Sequence, residues 1–286
     1  MHRSPFALIG LLAMLHAAPA GAAEERVAGV FAAPNGTPKA FATLTVERAS
    51  PLDAKLDLSE TSHGTTIRDY DLDMTKRLHM IVISRDFGWF EHVHPQLDSR
   101  GHFTIELHVP RAGGYYVFAD AEPHGLGQQV FRFPLRFGGP PLSVKPALAA
   151  TGKTVWAGPY RVALDTLALR AGAPNALDLR ITEAGAPASD LHPYLGGAAH
   201  AVFVNAETLD YVHVHPAVAG MPMDAMGGMD MGSMGSEPMT VLPDGAKVPA
   251  AMTLHLAPIP AGTYKLWLQF RGRDGLEVAS FVLNAR

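Results

Sequence analysis

Leu78-His-Met-Ile-Val-Ile-Ser-Arg-Asp-Phe-Gly-Trp-Phe-Glu-His-Val-His-Pro95 and Ala199-His-Ala-Val-Phe-Val-Asn-Ala-Glu-Thr-Leu-Asp-Tyr-Val-His-Val-His-Pro216 align without a gap, 121 positions apart. The diagonal extends backwards, where Leu56-Asp57-Leu58 falls on Leu177-Asp178-Leu179 and Gly64 on Gly185. Forwards it resumes at an offset of 149, with Gly113-Gly-Tyr115 on Gly262-Thr-Tyr264. A fixed self-similarity of this length marks a duplicated structural unit. The 28 residues by which 149 exceeds 121 measure an insertion in the second copy, between Pro216 and Met252.

Within each copy the pattern is that of strands. Leu78–Ser84, Phe103–Val109, Tyr115–Asp120 and Val130–Phe137 are short β-branched or aromatic runs separated by Gly, Pro, Asp or Asn. Ala201–Val204, Met252–Leu256, Tyr264–Phe270 and Val278–Leu283 repeat them. Gly138-Gly-Pro-Pro-Leu-Ser-Val-Lys-Pro146 has linker chemistry. The expected class is all-β: two tandem antiparallel β-sandwich modules, cupredoxin-like or immunoglobulin-like, over residues 24–145 and 146–286, with the insertion at 217–251. A short stretch such as Ala147–Thr151 is the only kind of segment open to a helix.

Composition narrows the chemistry. Of 286 residues 48% are hydrophobic, which supports packed cores and argues against a disordered chain. A net charge of −4 with only 23 Lys+Arg offers no basic footprint for nucleic acid. The chain has no cysteine, so disulfides, Fe–S clusters, thiol catalysis and a blue-copper thiolate are excluded. Arg3, the apolar run Phe6–Leu15 and the small residues Ala18-Pro-Ala-Gly-Ala-Ala23 read as an export signal over residues 1–23, cleaved after Ala22 or Ala23. A periplasmic protein is expected.

Each copy carries H-x12-H-x-H: His79, His92 and His94, then His200, His213 and His215. Residues two apart on a strand share a face, so the HxH pairs are co-facial. An even loop around Arg85–Gly88 sets His79 opposite His92 or His94; an odd one turns it away. Three imidazoles on one patch are the usual provision for a transition metal, with copper expected and zinc an alternative. The plainer reading makes His79, which shares a face with Ile81 and Ile83, a hydrogen-bonded histidine at a core edge. His124 is a reserve ligand for the first copy. As neutral imidazole is the ligand, binding is expected to weaken as pH falls below the ordinary histidine pKa of ~6.5.

The insertion holds seven of the 12 methionines within Met221–Met239. Met221, Met223, Met226, Met229, Met231 and Met234 are candidate ligands, because thioethers are soft donors that select Cu(I). Glycines disfavour a helix here, and little nearby is apolar enough to bury these side chains. A spacer or an oxidant sink is the plainer reading.

The Met/Gly/Asp tract resembles the metal-binding segments of bacterial periplasmic copper-tolerance proteins, and the modules with their His-Val-His-Pro segments look like the cupredoxin-like domains of that group, CopC-like proteins included. The resemblance covers roughly a quarter of the chain. It implies copper sequestration, delivery or tolerance, without enzymatic turnover, and a membrane metal exporter or copper-dependent oxidase as partner. The chain departs from the CopC-like pattern in one respect: the expected mature N-terminus, Ala or Glu24, is not the histidine of a chelating brace. Two other classes stay open. Three-His sites can support cupin-like metal-dependent catalysis, though no carboxylate recurs as a general base, Glu91 aligning with Val212. Alternatively the modules bind no metal and dock a membrane efflux complex.

Overall fold

Strand β6, Leu78–Ser84, is buried at every position, and so is its counterpart β17, His200–Asn205. A strand with one solvent face would alternate; these two are covered on both sides. The covering elements explain the architecture. The computed structural model describes residues 24–139, 148–218 and 241–286. The expected export signal (1–23), residues 140–147 of the linker and the whole methionine tract lie outside the described residues.

The first copy comprises β1 (Glu24–Ala28), β2 (Val30–Phe31), β3 (Phe41–Arg48), β4 (Asp53–Ser62), β5 (Thr65–Thr66), β6, β7 (Phe90–Val93), β8 (Gln96–Leu97), β9 (His102–His108), β10 (Gly113–Ala121) and β11 (Gln129–Phe137). The second comprises β12 (Thr154–Ala157), β13 (Tyr160–Leu164), β14 (Ala168–Leu169), β15 (Asn175–Glu183), β16 (Ala186–Pro187), β17, β18 (Tyr211–Val214), β19 (Ala217–Val218), β20 (Ala251–Leu256), β21 (Gly262–Gly272) and β22 (Gly275–Ala285). Each copy folds into two sheets with matching orders: β1-β3-β4-β9-β8 and β2-β11-β10-β6-β7, then β12-β13-β15-β20-β19 and β14-β22-β21-β17-β18. All pairings are antiparallel except the short parallel pair β14–β22. The expected class, two tandem β-sandwiches, is what the chain adopts. No helix occurs among the described residues, and Leu148–Thr151 is irregular.

Three apolar clusters hold the layers together. Leu44, Leu56, Leu58, Met80, Val82, Val117 and Phe133 fill the first sandwich. Leu177, Ile181, Ala201, Phe203, Leu254, Leu266 and Phe281 fill the second. The third lies between the modules: Ile81, Ile83 and Phe118 of the first meet Val202, Val204, Tyr211 and Trp267 of the second. The inner faces of β6 and β17 therefore belong to their sandwiches and the outer faces to the inter-module layer.

That layer has an approximate two-fold symmetry readable from the repeat offsets. Phe118 stacks on Tyr211 at 5.2 Å, and their counterparts Trp267 and Phe90 stack on each other at 5.2 Å. Stacked aromatics of this kind add to the hydrophobic gain of burying the rings. Polar contacts close the rim: the Tyr211 amide donates to Ala32 O, Arg132 to Thr208 O and Thr75 Oγ1 to Leu195 O.

Candidate metal centre

The ladder β6–β7 pairs Ile81 with His92 and Met80 with Val93, so its continuation sets His79 opposite His94. In the second copy Ala201 pairs with Val214 and Val202 with His213, which sets His200 opposite His215. The connecting loops are thus even, and all three histidines of each copy share the outer face of their hairpin. That face is the inter-module face. The two triads consequently meet at the interface.

Within the first triad, His79 Nδ1 lies 2.9 Å from His92 Nε2, His94 Nε2 lies 3.1 Å from His92 Nε2, and His94 Nε2 lies 3.3 Å from His79 Nδ1. In the second, His200 Nδ1 is 3.2 Å from His213 Nε2 and 3.0 Å from His215 Nε2. The other ring nitrogens show which form these imidazoles take. His79 Nε2 donates to Asp73 O at 3.2 Å and His200 Nε2 to Tyr194 O at 2.9 Å. His92 Nδ1 donates to Gln269 Oε1 at 3.1 Å. With those protons placed outward, His79 Nδ1, His92 Nε2 and His200 Nδ1 turn lone pairs inward. Lone pairs at 2.9 Å repel unless a cation lies between them.

A fit test gives the same answer. Three nitrogens 2.9, 3.1 and 3.3 Å apart lie about 1.8 Å from their common centre, inside the ~2.0–2.1 Å of a metal–imidazole bond, so one ion touches all three from about 1 Å above their plane. A proton is a poor substitute. Burial, then the neighbouring imidazoles, holds His92, His213 and His215 well below the ordinary histidine range. Burial takes His94 to about 3 and His200 to about 4. Proton competition therefore sets in at lower pH than the sequence led us to expect.

The outer contacts of the triads are themselves symmetric. Tight turns closed by reciprocal bonds, Asp73–Lys76 and Tyr194–Gly197, present the carbonyls that hold His79 and His200. Met74 and Leu195 adopt φ values of 55° and 51° there, a left-handed conformation that costs any residue bearing a Cβ. Two further contacts cross between modules. Gln269 of the second copy holds His92 of the first, while Asp120 of the first places Oδ2 3.5 Å from Nδ1 of His213. Asp120 is buried, its Oδ1 accepts from Gln128 at 2.8 Å, and its Oδ2 has no hydrogen-bond partner. Burial and then Asp73 raise its pKa well above the carboxylate range in the metal-free chain, so it is a bound cation that would draw off its proton and make it a carboxylate.

Asp73, Asp120, Tyr194 and Gln269 did not emerge from the sequence. The signal was present in the offsets: 121 carries Asp73 to Tyr194 and 149 carries Asp120 to Gln269. Their types differ between copies, so a comparison of identical residues passes over them. His124, the reserve ligand, stands apart, paired with Asp71 at 2.9 Å on the surface. His102 and His108 are likewise held by Asp57 and Asp53. The methionine candidates Met221, Met223, Met226, Met229, Met231 and Met234 fall outside the described residues.

Asp120 carries a prediction. A carboxylate behind a metal-bound imidazole fixes its tautomer and raises its basicity, and its loss ordinarily costs 10–100-fold in affinity. Asp120→Asn should weaken metal binding at the second triad by about that factor, read by competition with a chelator. Unchanged affinity would leave Asp120 with a packing role only.

Two β-sandwiches docked through a buried histidine interface define the class of protein. The chain belongs to the family described as Domain of unknown function (DUF8832), whose model matches residues 39–137 and 153–286. No curated protein matches the chain.

Proposed function

We propose that this chain is an exported copper-binding protein that sequesters or hands on copper in the periplasm. The observation that carries the reading is the convergence of imidazole nitrogens, 2.9–3.3 Å apart, in each triad. His79, His92 and His94 would hold one ion and His200, His213 and His215 another. Buried imidazoles suit Cu(II), Cu(I) and Zn(II) alike; the methionine tract favours copper, since thioethers are the soft donors of a chain without thiolates. In this reading the tract holds Cu(I) and the histidines take either oxidation state. The chain leaves for the tract at Val218, three residues after His215, and on its return the Leu242 amide donates to Gly196 O in the turn that holds His200. An open cleft of about 540 Å³ lined by Thr75, Tyr194, Leu195, Val241 and Leu242 lies over that turn. Tract and triads would thus exchange metal over a short path, with a membrane exporter or a copper-dependent oxidase as the expected recipient.

The test is a Cu(I) competition titration, under anaerobic conditions, of the full chain and a chain lacking Met221–Met239. The first copy joins β8 to β9 through Asp98–Gly101 alone, so the deletion should leave the fold intact. We expect Cu(I) capacity to drop while Cu(II) and Zn(II) at the histidines change little. Equal Cu(I) stoichiometry in both chains would make the tract a spacer and remove the support for copper over zinc.

A further inference from the structure

We propose that the two triads are halves of one binuclear centre, with two ions held side by side between the modules. The inference rests on the metal-binding reading and adds what neither repeat reveals separately. Across the interface the ring centroids of His79 and His213 are 4.9 Å apart, those of His92 and His200 5.3 Å, and those of His92 and His213 5.6 Å. Within the triads the corresponding separations are 4.5–5.4 Å. The closest rings of opposite triads are therefore packed like rings of the same triad, while His79 stands 5.8 Å from His200 and 6.4 Å from His215. One ligand atom from each of His79, His92, His200 and His213 lies within 4.8 Å of the others.

Proximity alone would also suit a single ion shared by both modules. The nitrogen contacts argue for two. Every pair of histidine nitrogens within hydrogen-bond distance among the described residues is internal to a triad. A common shell around one ion would bring nitrogens of opposite triads as close together as those of the same triad. Here the donors sort into two sets of three, each complete for an ion with an open position.

Two like charges so near each other need compensation in a dry site, because a low dielectric leaves their repulsion poorly screened. The first module supplies it. Asp73 Oδ2 lies 3.6 Å from His79 Nε2 and 3.9 Å from His213 Nδ1, so it reaches both triads, and Asp120 backs His213. Asp73 also has a carboxylate oxygen grouped with the ring nitrogens of His213 and His215. Neither triad is furnished by its own module alone, since Asp120 serves His213 and Gln269 serves His92. The second copy replaces both acids, with Tyr194 and Gln269, so the two ions are inequivalent.

Cu(II) alone is the probe, added to the metal-stripped full chain, with bound copper and the electron paramagnetic resonance spectrum read together. We expect two Cu(II) per chain, a dipole-broadened spectrum and a half-field transition, the signature of two coupled spins. His200→Ala, which removes the central donor of the second triad, should leave one Cu(II) per chain with its full one-spin signal. Two Cu(II) giving two full, uncoupled spins would overturn the binuclear centre and leave two separate sites. One Cu(II) per chain with a full spin would overturn it in favour of a shared ion, and in both cases the metal-binding reading survives. No retained Cu(II) would overturn that reading itself.

Discussion

Loading the metal-stripped chain with Zn(II) at a thousandfold excess over its dissociation constant should raise the melting temperature by roughly 10 °C. A ligand bound only to the folded state stabilises it by about 4 kcal/mol per site at that excess. Without metal, His79 Nδ1 and His92 Nε2 face each other at 2.9 Å with unshared electron pairs, a disposition that a cation relieves. His79→Ala with His200→Ala should abolish the rise, because each removes the nitrogen on which its triad converges. The fold should persist in that variant: Met80, Val82, Ala201 and Phe203 still fill the two sandwich cores. The pH dependence has a definite sign. These histidines have folded pKa values below the unfolded one, so the unfolded chain takes up protons first as pH falls. The histidines' contribution to the stability of the stripped chain is therefore complete above ~6.5 and declines below it, through the window that ends near 3 for His94 and 4 for His200. The metal-loaded chain should hold its ions at pH 5, where ordinary surface histidines are already protonated. Melting curves that coincide with and without metal would remove the histidine sites from the account.

The duplication and the co-facial triads were legible because both depend on short-range periodicity. Side chains alternate along a strand, so His92 and His94 share a face whatever surrounds them, and the even hairpin loops bring His79 and His200 into line. The meeting of the triads was not legible. The run Leu-His-Met-Ile-Val-Ile is apolar on both faces, and periodicity does not say whether a helix, a loop or a second module covers the outer one. The plainer reading of His79, a histidine on the face of Ile81 and Ile83, was right about the face: it is the inter-module layer. Strands β3, β4, β13 and β15 were missed because their polar alternate residues, as in Asp53–Ser62, lower the apolar density without breaking the alternation. The same alternation identifies the one residue that contradicts the first core.

Glu60 is that residue, and replacing it should stabilise the protein increasingly as pH rises. Strand β4 buries Ala54, Leu56, Leu58 and Glu60 in strict alternation, which directs the carboxyl into the first sandwich. Neither of its oxygens, nor the facing Tyr70 hydroxyl, closes a hydrogen bond. Burial pushes the Glu60 carboxyl up to about 8 and raises the Tyr70 phenol as well. An offset of 121 carries the pair to Ile181 and Leu191, both buried in the second sandwich, so the second copy supplies the apolar alternative at equivalent positions. The linkage runs opposite to that of a salt-bridged acid. Between the unfolded value near 4.5 and the folded value near 8, the unfolded chain has lost its proton while the folded chain keeps it. Stability therefore falls as pH rises through that window, by on the order of 3 kcal/mol between pH 5 and pH 8. Glu60→Ile with Tyr70→Leu removes the titrating group and the unpaired phenol together, and Glu60→Gln removes the charge at nearly constant volume. Urea unfolding of the metal-stripped proteins at both pH values checks it: each variant's advantage over the parent should widen by about that amount. An advantage equal at both pH values would mean that Glu60 is ionised in the folded state and has a partner within the core.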